Sequence, residues 1–226
     1  MGIKPCFIAT IVYMHTGYDM HNTIKRIIDI TYKEKLSHLS SCLSAWPIIH
    51  EIYDKKHIDD VFVLSNGHAG LALYCELEAR YGLNADLLLK KHGIHPSKDI
   101  DNKIWCSTGS LGCGLPIAIG HALSNRNKNV WCLISDGESA EGSIWESLRF
   151  IHTENIKNLH VYVNINGMSA YDYIDVNYLV KRLVTFLPTI HIRISEPPTY
   201  PFAQGLLTHY YVLKPEDYEY LCEKNV

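Results

Sequence analysis

The chain has 226 residues, 47% of them hydrophobic and 20% charged, with a formal net charge of −3. That is ordinary globular composition, enough for one large domain or two small ones. With no basic excess, nucleic acid is not an expected partner, and no apolar run reaches membrane-spanning length.

Phe7 to Met14 is an apolar run behind Lys4. It is short, follows one basic residue and lacks a small-x-small cleavage site. It therefore reads as part of an N-terminal extension, residues 1–21, rather than as a secretory signal. The main domain is expected over residues 22–226. The seven cysteines contain no C-x-x-C pair, and their odd count and scatter point to reduced thiols and a cytoplasmic protein. The thirteen histidines show no zinc spacing.

Asn22 to Lys35 places Ile24, Ile27, Ile28 and Tyr32 at helical spacing, with basic residues between. Ser37 to Ala45 reads as a loop carrying His38, followed by a second helix through Tyr53. Val61-Phe-Val-Leu64 is a short strand that runs into Ser65-Asn-Gly-His68-Ala-Gly70 and a helix from Ala69 to Tyr81. That puts His68 at a strand-to-helix turn, a place where anions bind. Leu83 to Lys91 is a further helix, followed by the loop His92-Gly-Ile-His95-Pro96. Thr108-Gly109-Ser110-Leu111-Gly112-Cys-Gly114 opens a helix from Leu115 to Ser124. Its glycines permit close approach of a ligand or a neighbouring backbone. The segment is not a P-loop, because no Gly-Lys-Ser/Thr follows.

Val130-Trp-Cys-Leu-Ile-Ser-Asp136-Gly137-Glu138 and Val161-Tyr-Val-Asn-Ile-Asn166-Gly-Met168 flank an amphipathic run. Two apolar strands around a helix make a parallel unit, and ligands bind beyond the carboxyl ends of such strands. Asp136 and Asn166 stand at those ends, where a carboxylate and an amide oxygen suit a hard cation that takes its remaining ligands from phosphates and water. Gly137 lets backbone approach a phosphate, and the helix starting near Ser143 would offer its positive end to the anion.

This last pattern resembles the thiamine-diphosphate signature, with Ser135 in place of its first glycine. Further motifs occur in the order seen in transketolases: Leu64-Ser-Asn-Gly-His-Ala69, Gly93-x-His-Pro96, Thr108-Gly-Ser-Leu-Gly-x-Gly114, Asp136-Gly-Glu-x-x-Glu-Gly142 and Asn166-Gly167. The chain resembles the N-terminal, diphosphate-binding domain of that family, well over residues 23–166 and poorly in the tail. The resemblance implies an α/β fold, a three-layer parallel sheet with helices on both faces. It implies thiamine diphosphate and Mg²⁺ (or Ca²⁺), the metal bound by Asp136, Asn166 and the Met168 carbonyl. His68, Gly109, Ser110, Leu111, Gly137 and Glu138 would join these three in holding the cofactor. His38, His68, His95 and Glu141 would serve catalysis, and His209 could stand for a late substrate histidine.

In the family, the glutamate that activates the cofactor lies on a separate pyrimidine-binding domain. The resemblance therefore implies a split transketolase. This chain would pair with another chain carrying the pyrimidine-binding and C-terminal domains, two copies of each, and act on small sugars by transferring a two-carbon ketol unit. Other expectations are a subunit of a 2-oxo acid dehydrogenase or a deoxyxylulose-phosphate synthase, or an inactive relict binding domain. The tail is trimmed, and an edge strand is expected to be missing.

Overall fold

Four apolar runs form one parallel sheet in the order β1 (Val61–Leu64), β2 (Val130–Ser135), β3 (Leu159–Ile165), β4 (His191–Ile194). The structure is a computed structural model and describes residues 20–195 and 200–224. The extension and its apolar run Phe7–Met14 lie almost wholly outside the described residues. Register is set at the start of the strands, where Val61 faces Val130 and Val130 faces Leu159. β1 and β2 are buried throughout, which explains their unbroken apolar sequence. Among the described residues β1 and β4 are the two edges, and β4 is half-buried.

Alternation along the strands sorts side chains into two cores. Val63, Cys132, Ile134, Val161 and Val163 face Leu115, Ile144, Leu148, Leu179 and Leu183. Those partners lie on α5 (Gly114–Ser124), α6 (Gly142–Thr153) and α7 (Val176–Phe186). Phe62, Leu64, Trp131, Leu133 and Tyr162 face Ile27, Trp46, Ile49, Tyr74 and Leu88. These belong to α1 (Met20–Lys33), α2 (Leu39–Lys55), α3 (Gly70–Tyr81) and α4 (Ala85–His92). The result is the expected three-layer α/β architecture.

Three local departures have physical causes. α1 begins at Met20, two residues before the expected start. The serine-rich stretch after His38 is helical from Leu39 rather than a loop, because Leu39, Cys42, Trp46 and Ile49 form one buried face. Its entry is made by His38 in the left-handed region, φ 67°, whose carbonyl accepts from Cys42 N at 3.0 Å. A final helix, α8 (Pro215–Glu223), was not expected from the sequence. Pro215 fits the first turn, and Asp217 accepts from Lys214 N at 2.9 Å. α8 returns to α1, where Tyr218 stacks on Tyr32 at 4.3 Å and donates to Asp29 at 2.9 Å.

A buried carboxylate ties α2 to α3. Glu76 is 1% exposed and accepts from Trp46 Nε1 at 2.9 Å and Arg80 Nε at 2.7 Å. Glu76→Ala leaves both donors without that acceptor and should cost about 3 kcal/mol, read as a lower urea midpoint. Glu76→Gln should cost less, because its amide oxygen can still accept.

Candidate active site

A cleft of about 70 Å³ opens at the carboxyl ends of β1, β2 and β3, with Asn66, His68, Leu111, Asp136, Asn166 and Met168 on its walls. Asp136 is the residue after β2, and its N–H donates to Asn164 O at 2.9 Å, extending the ladder by one step. Its Oδ2 accepts from the N–H groups of Asn166 and Gly167, both at 2.8 Å, and its Oδ1 accepts from Gly137 N at 3.0 Å. The side chain thereby clamps the end of β2 to the end of β3. The turn it holds needs Gly167 in the left-handed region, φ 80°. Asn166 Oδ1 accepts from Met168 N at 3.0 Å.

Asp136 is 2% exposed. Burial pushes its carboxyl up to about 6, against the three backbone donors, which favour the charged form. Among the described residues no basic side chain pairs with it. Nor does any group of three His, Cys, Asp or Glu residues form a metal cluster there. A cation would have to be held by one carboxylate, the Asn166 amide oxygen and a backbone carbonyl such as that of Met168. That hard-oxygen set fits Mg²⁺ or Ca²⁺ when an anionic ligand supplies the other donors. Among the described residues one buried polar atom of a cleft residue, Asn66 Oδ1, has no hydrogen-bond partner and could meet a polar ligand.

Glu138 does something different from Asp136. It is fully buried and does not line the cleft. Its Oε1 accepts from Ser65 Oγ at 2.5 Å and Gly112 N at 2.9 Å, and its Oε2 accepts from Ser135 N at 2.9 Å. Burial pushes its carboxyl up while these donors pull it down. The glycines of the 109–114 loop serve the same junction. A Cβ on Gly114 would lie 2.6 Å from Ser65 Cα, and one on Gly112 would lie 2.7 Å from Glu141 Cβ. What approaches this loop closely is the chain's own backbone. Glu141 is half-buried beside Gly112 and stays out of the cleft, as do Gly109 and Ser110; Leu111 and Gly137 reach it. The start of α6 also stays out, since Ser143 Oγ donates to Gly112 O at 2.9 Å. A 3-10 turn, Gly137–Ala140, stands at the cleft in its place.

Three histidines cluster beside the cleft: His68 and His209 line it, and His38 packs against both without lining it. His38 and His68 have ring centroids 5.5 Å apart, and His209 lies 4.5 Å from His38 and 5.6 Å from His68. The His38 N–H donates to His209 O at 3.1 Å, so the tail is pinned to the turn before α2. Burial, and next the neighbouring imidazoles, holds His38 at about 4 and His68 at about 3; burial also lowers His209. All three are therefore neutral at pH 7. His95 is exposed outside this group, its ring 3.1 Å from where a Gly109 Cβ would stand. Ser44 and Thr208 carry no sequence signal as cleft residues, and Ser135 stands out in the sequence only as the departure from the signature's first glycine. Asn66 was within reach, two residues before His68 in the same turn.

The imidazoles make stability depend on acid. An unfolded chain protonates them near 6.5, whereas the folded chain excludes protons until about 4 at His38 and about 3 at His68. Below pH 6.5 the unfolded state binds more protons, so stability falls as pH drops. The slope is up to about 1.4 kcal/mol per pH unit for each group. Urea midpoints at pH 7, 6 and 5 should show this fall, and His68→Asn should flatten it. A midpoint equally acid-sensitive in that variant would refute the assignment.

The chain is similar to known proteins in sequence and in fold. Residues 92–170 match the family model described as thiamine pyrophosphate enzyme, C-terminal TPP binding domain. Transketolase-like protein 2 of Homo sapiens is 33% identical over 152 residues, 58% of this chain and 24% of that protein. The A component of apulose-4-phosphate transketolase from Phocaeicola vulgatus, one of that enzyme's subunits, is 30% identical over 164 residues, 64% of this chain and 58% of that protein. The match thus spans about a quarter of the first relative's length and under two thirds of the second's. The solved transketolase from Leishmania mexicana superposes with a TM-score of 0.70 at 20% identity, covering 94% of this chain and 42% of that one. A Pichia stipitis transketolase mutant superposes with a TM-score of 0.67 over 91% of this chain and 40% of that one. In sequence this chain is similar to transketolases and, over residues 92–170, to thiamine pyrophosphate enzymes, and its fold is similar to that of solved transketolases.

Proposed function

We propose that this chain is the diphosphate-binding subunit of a split transketolase. It would transfer a two-carbon ketol unit from a ketose donor to an aldose acceptor. The observation that carries the reading is the Asp136 clamp: a buried carboxylate, fixed by the N–H groups of Asn166 and Gly167, with Asn166 and Met168 on the same cleft wall. Asp136, Asn166 and the Met168 carbonyl would hold Mg²⁺ or Ca²⁺, and Gly137 would let the diphosphate approach. Thiamine diphosphate, when bound, would supply the electron sink for carbon–carbon bond cleavage.

The chain's own part is positioning and proton handling. His38, His68 and His209 are neutral imidazoles and can each donate and accept a hydrogen bond at a sugar hydroxyl. Any one of them could take a proton at a ring nitrogen for a short time. The missing components would come from a second chain with the pyrimidine-binding and C-terminal domains, two copies of each chain forming the assembly. The likeness to the Phocaeicola vulgatus protein, itself one subunit of a transketolase, supports this division. Free cysteines at positions 42, 75, 106, 113, 132 and 222 support a cytoplasmic setting.

Calorimetric titration of thiamine diphosphate with Mg²⁺ tests the reading, with and without a candidate pyrimidine-domain chain. Binding should tighten with the partner and weaken by about a hundredfold or more in Asp136→Ala, which removes a charged ligand. Turnover of a ketose donor with an aldose acceptor should require both chains. No binding under either condition overturns the proposal, and turnover of 2-oxo acids alone would replace it with a dehydrogenase-type subunit.

A further inference from the structure

A second cavity, of about 220 Å³, lies at the opposite end of the sheet, by the amino ends of β1 and β2. It shares no residue with the cleft. Lys56, Lys103 and Lys128 converge on it from three separate connections: the end of α2, the loop before Trp105 and the turn before β2. Each half-buried ammonium rests on an aromatic ring. Lys56 Nζ is 5.1 Å from the Tyr53 centroid, Lys103 Nζ 4.7 Å from Tyr81 and Lys128 Nζ 5.5 Å from Trp105.

The surroundings account for part of this charge and leave part over. α2 and α3 both end here, and Lys56 Nζ donates to the carbonyl of His57, just past α2, at 2.9 Å. Two carboxylates line the cavity as well. That of Asp60 is engaged by Trp131 Nε1 and His57 N, each at 3.0 Å, and that of Asp59 is exposed. Among the described residues neither Lys103 nor Lys128 forms an ion pair. Burial lowers the Lys56 pKa; Asp60 opposes this, and Lys103 and Lys128 add to it. Three ammonium groups face two carboxylates around an open volume, which leaves one positive charge in excess, and an anion placed among the lysines offsets it.

The loop that carries Lys103 is fixed rather than slack. Lys103 sits in the left-handed region, φ 62°. Asp99 and Ile104 close the loop by exchanging backbone hydrogen bonds of 2.8 and 2.9 Å. Asp99 also accepts from Lys91 Nζ at 2.6 Å and Asn102 Nδ2 at 2.7 Å.

We propose that this cavity binds a small phosphate-bearing molecule through Lys103 and Lys128, with Lys56 behind them and Tyr53, Tyr81 and Trp105 as its walls. Ammonium groups bind phosphate as point charges, without the planar match an arginine demands. A volume near 220 Å³ suits a diphosphate or a small phosphate ester, below the usual range for larger ligands.

Inorganic diphosphate is the first probe and inorganic phosphate the second. Both are titrated into the full chain with a chelator present, so that the cleft has no metal to recruit them. We expect one site per chain, tighter for diphosphate, with a change in fluorescence that Trp105→Phe removes. Lys103→Gln and Lys128→Gln should each weaken binding about tenfold or more, while Asp136→Ala should leave it unchanged. Unchanged thermal midpoints in the lysine variants would show that the fold is intact. No binding by the wild-type chain overturns the proposal, as does binding that survives both lysine substitutions or is lost in Asp136→Ala. Because Asp136→Ala separates the two sites, failure here leaves the reading of the cleft standing.

Discussion

The cleft exists because Glu138 is buried where three pieces of chain meet. Its two oxygens take the Ser65 hydroxyl, the Gly112 N–H and the Ser135 N–H. Those donors belong to the end of β1, the glycine loop and the end of β2. A carboxylate with no exposure costs a great deal of solvation, and it is tolerated here because three donors take its place. Two residues earlier, Asp136 performs the same operation between β2 and β3. One carboxylate sets the floor by joining loops and stays out of sight. The other joins strands and keeps one face open to the cleft.

Desolvation also decides what the histidines are. An isolated imidazole on a surface is partly charged near neutrality. Packing His38, His68 and His209 within 4.5 to 5.6 Å of one another makes a charge on any one costly to the rest. The wall facing Asp136 is thus neutral, with hydrogen-bonding nitrogens and no fixed cation. It suits uncharged hydroxyl groups better than it suits a second phosphate.

Much of this was legible in the sequence, for identifiable reasons. Strands buried on both faces write themselves as Val61–Leu64 and Val130–Ile134, and the residues just beyond them, Asp136 and Asn166, inherit their position from the strands. Roles within a motif were less legible. Asp136, Glu138 and Glu141 are three acids within six positions, and only the direction each takes from its turn separates a cleft residue from a buried tie. The glycines of the 109–114 loop were open to two readings, ligand approach or chain approach, and packing against Ser65 and Glu141 decides for the chain. His209 is 171 positions from His38 by subtraction of their numbers, and no local pattern announces that the tail returns to the turn before α2. The helical start at Leu39 was hidden because Ser40, Ser41 and Ser44 interrupt the apolar pattern, and two of them, Ser40 and Ser44, are themselves buried.

The charge of the cleft bears on what else the site needs. Among the described residues no lysine or arginine lines it, and burial shifts its histidines, His68 and His209, toward the neutral form. A diphosphate carries more negative charge than one divalent cation beside an ionised Asp136 can offset. Backbone N–H groups can stabilise part of the remainder, as oriented dipoles do elsewhere. The rest must be met by solvent or by positive groups from outside the described residues. A site that would supply metal ligands and a hydroxyl-binding wall but little positive charge would be chemically incomplete for a diphosphate on its own. That deficit supports the proposal of a second chain, because closing the cleft with another protein surface would both exclude water and bring in the missing charge.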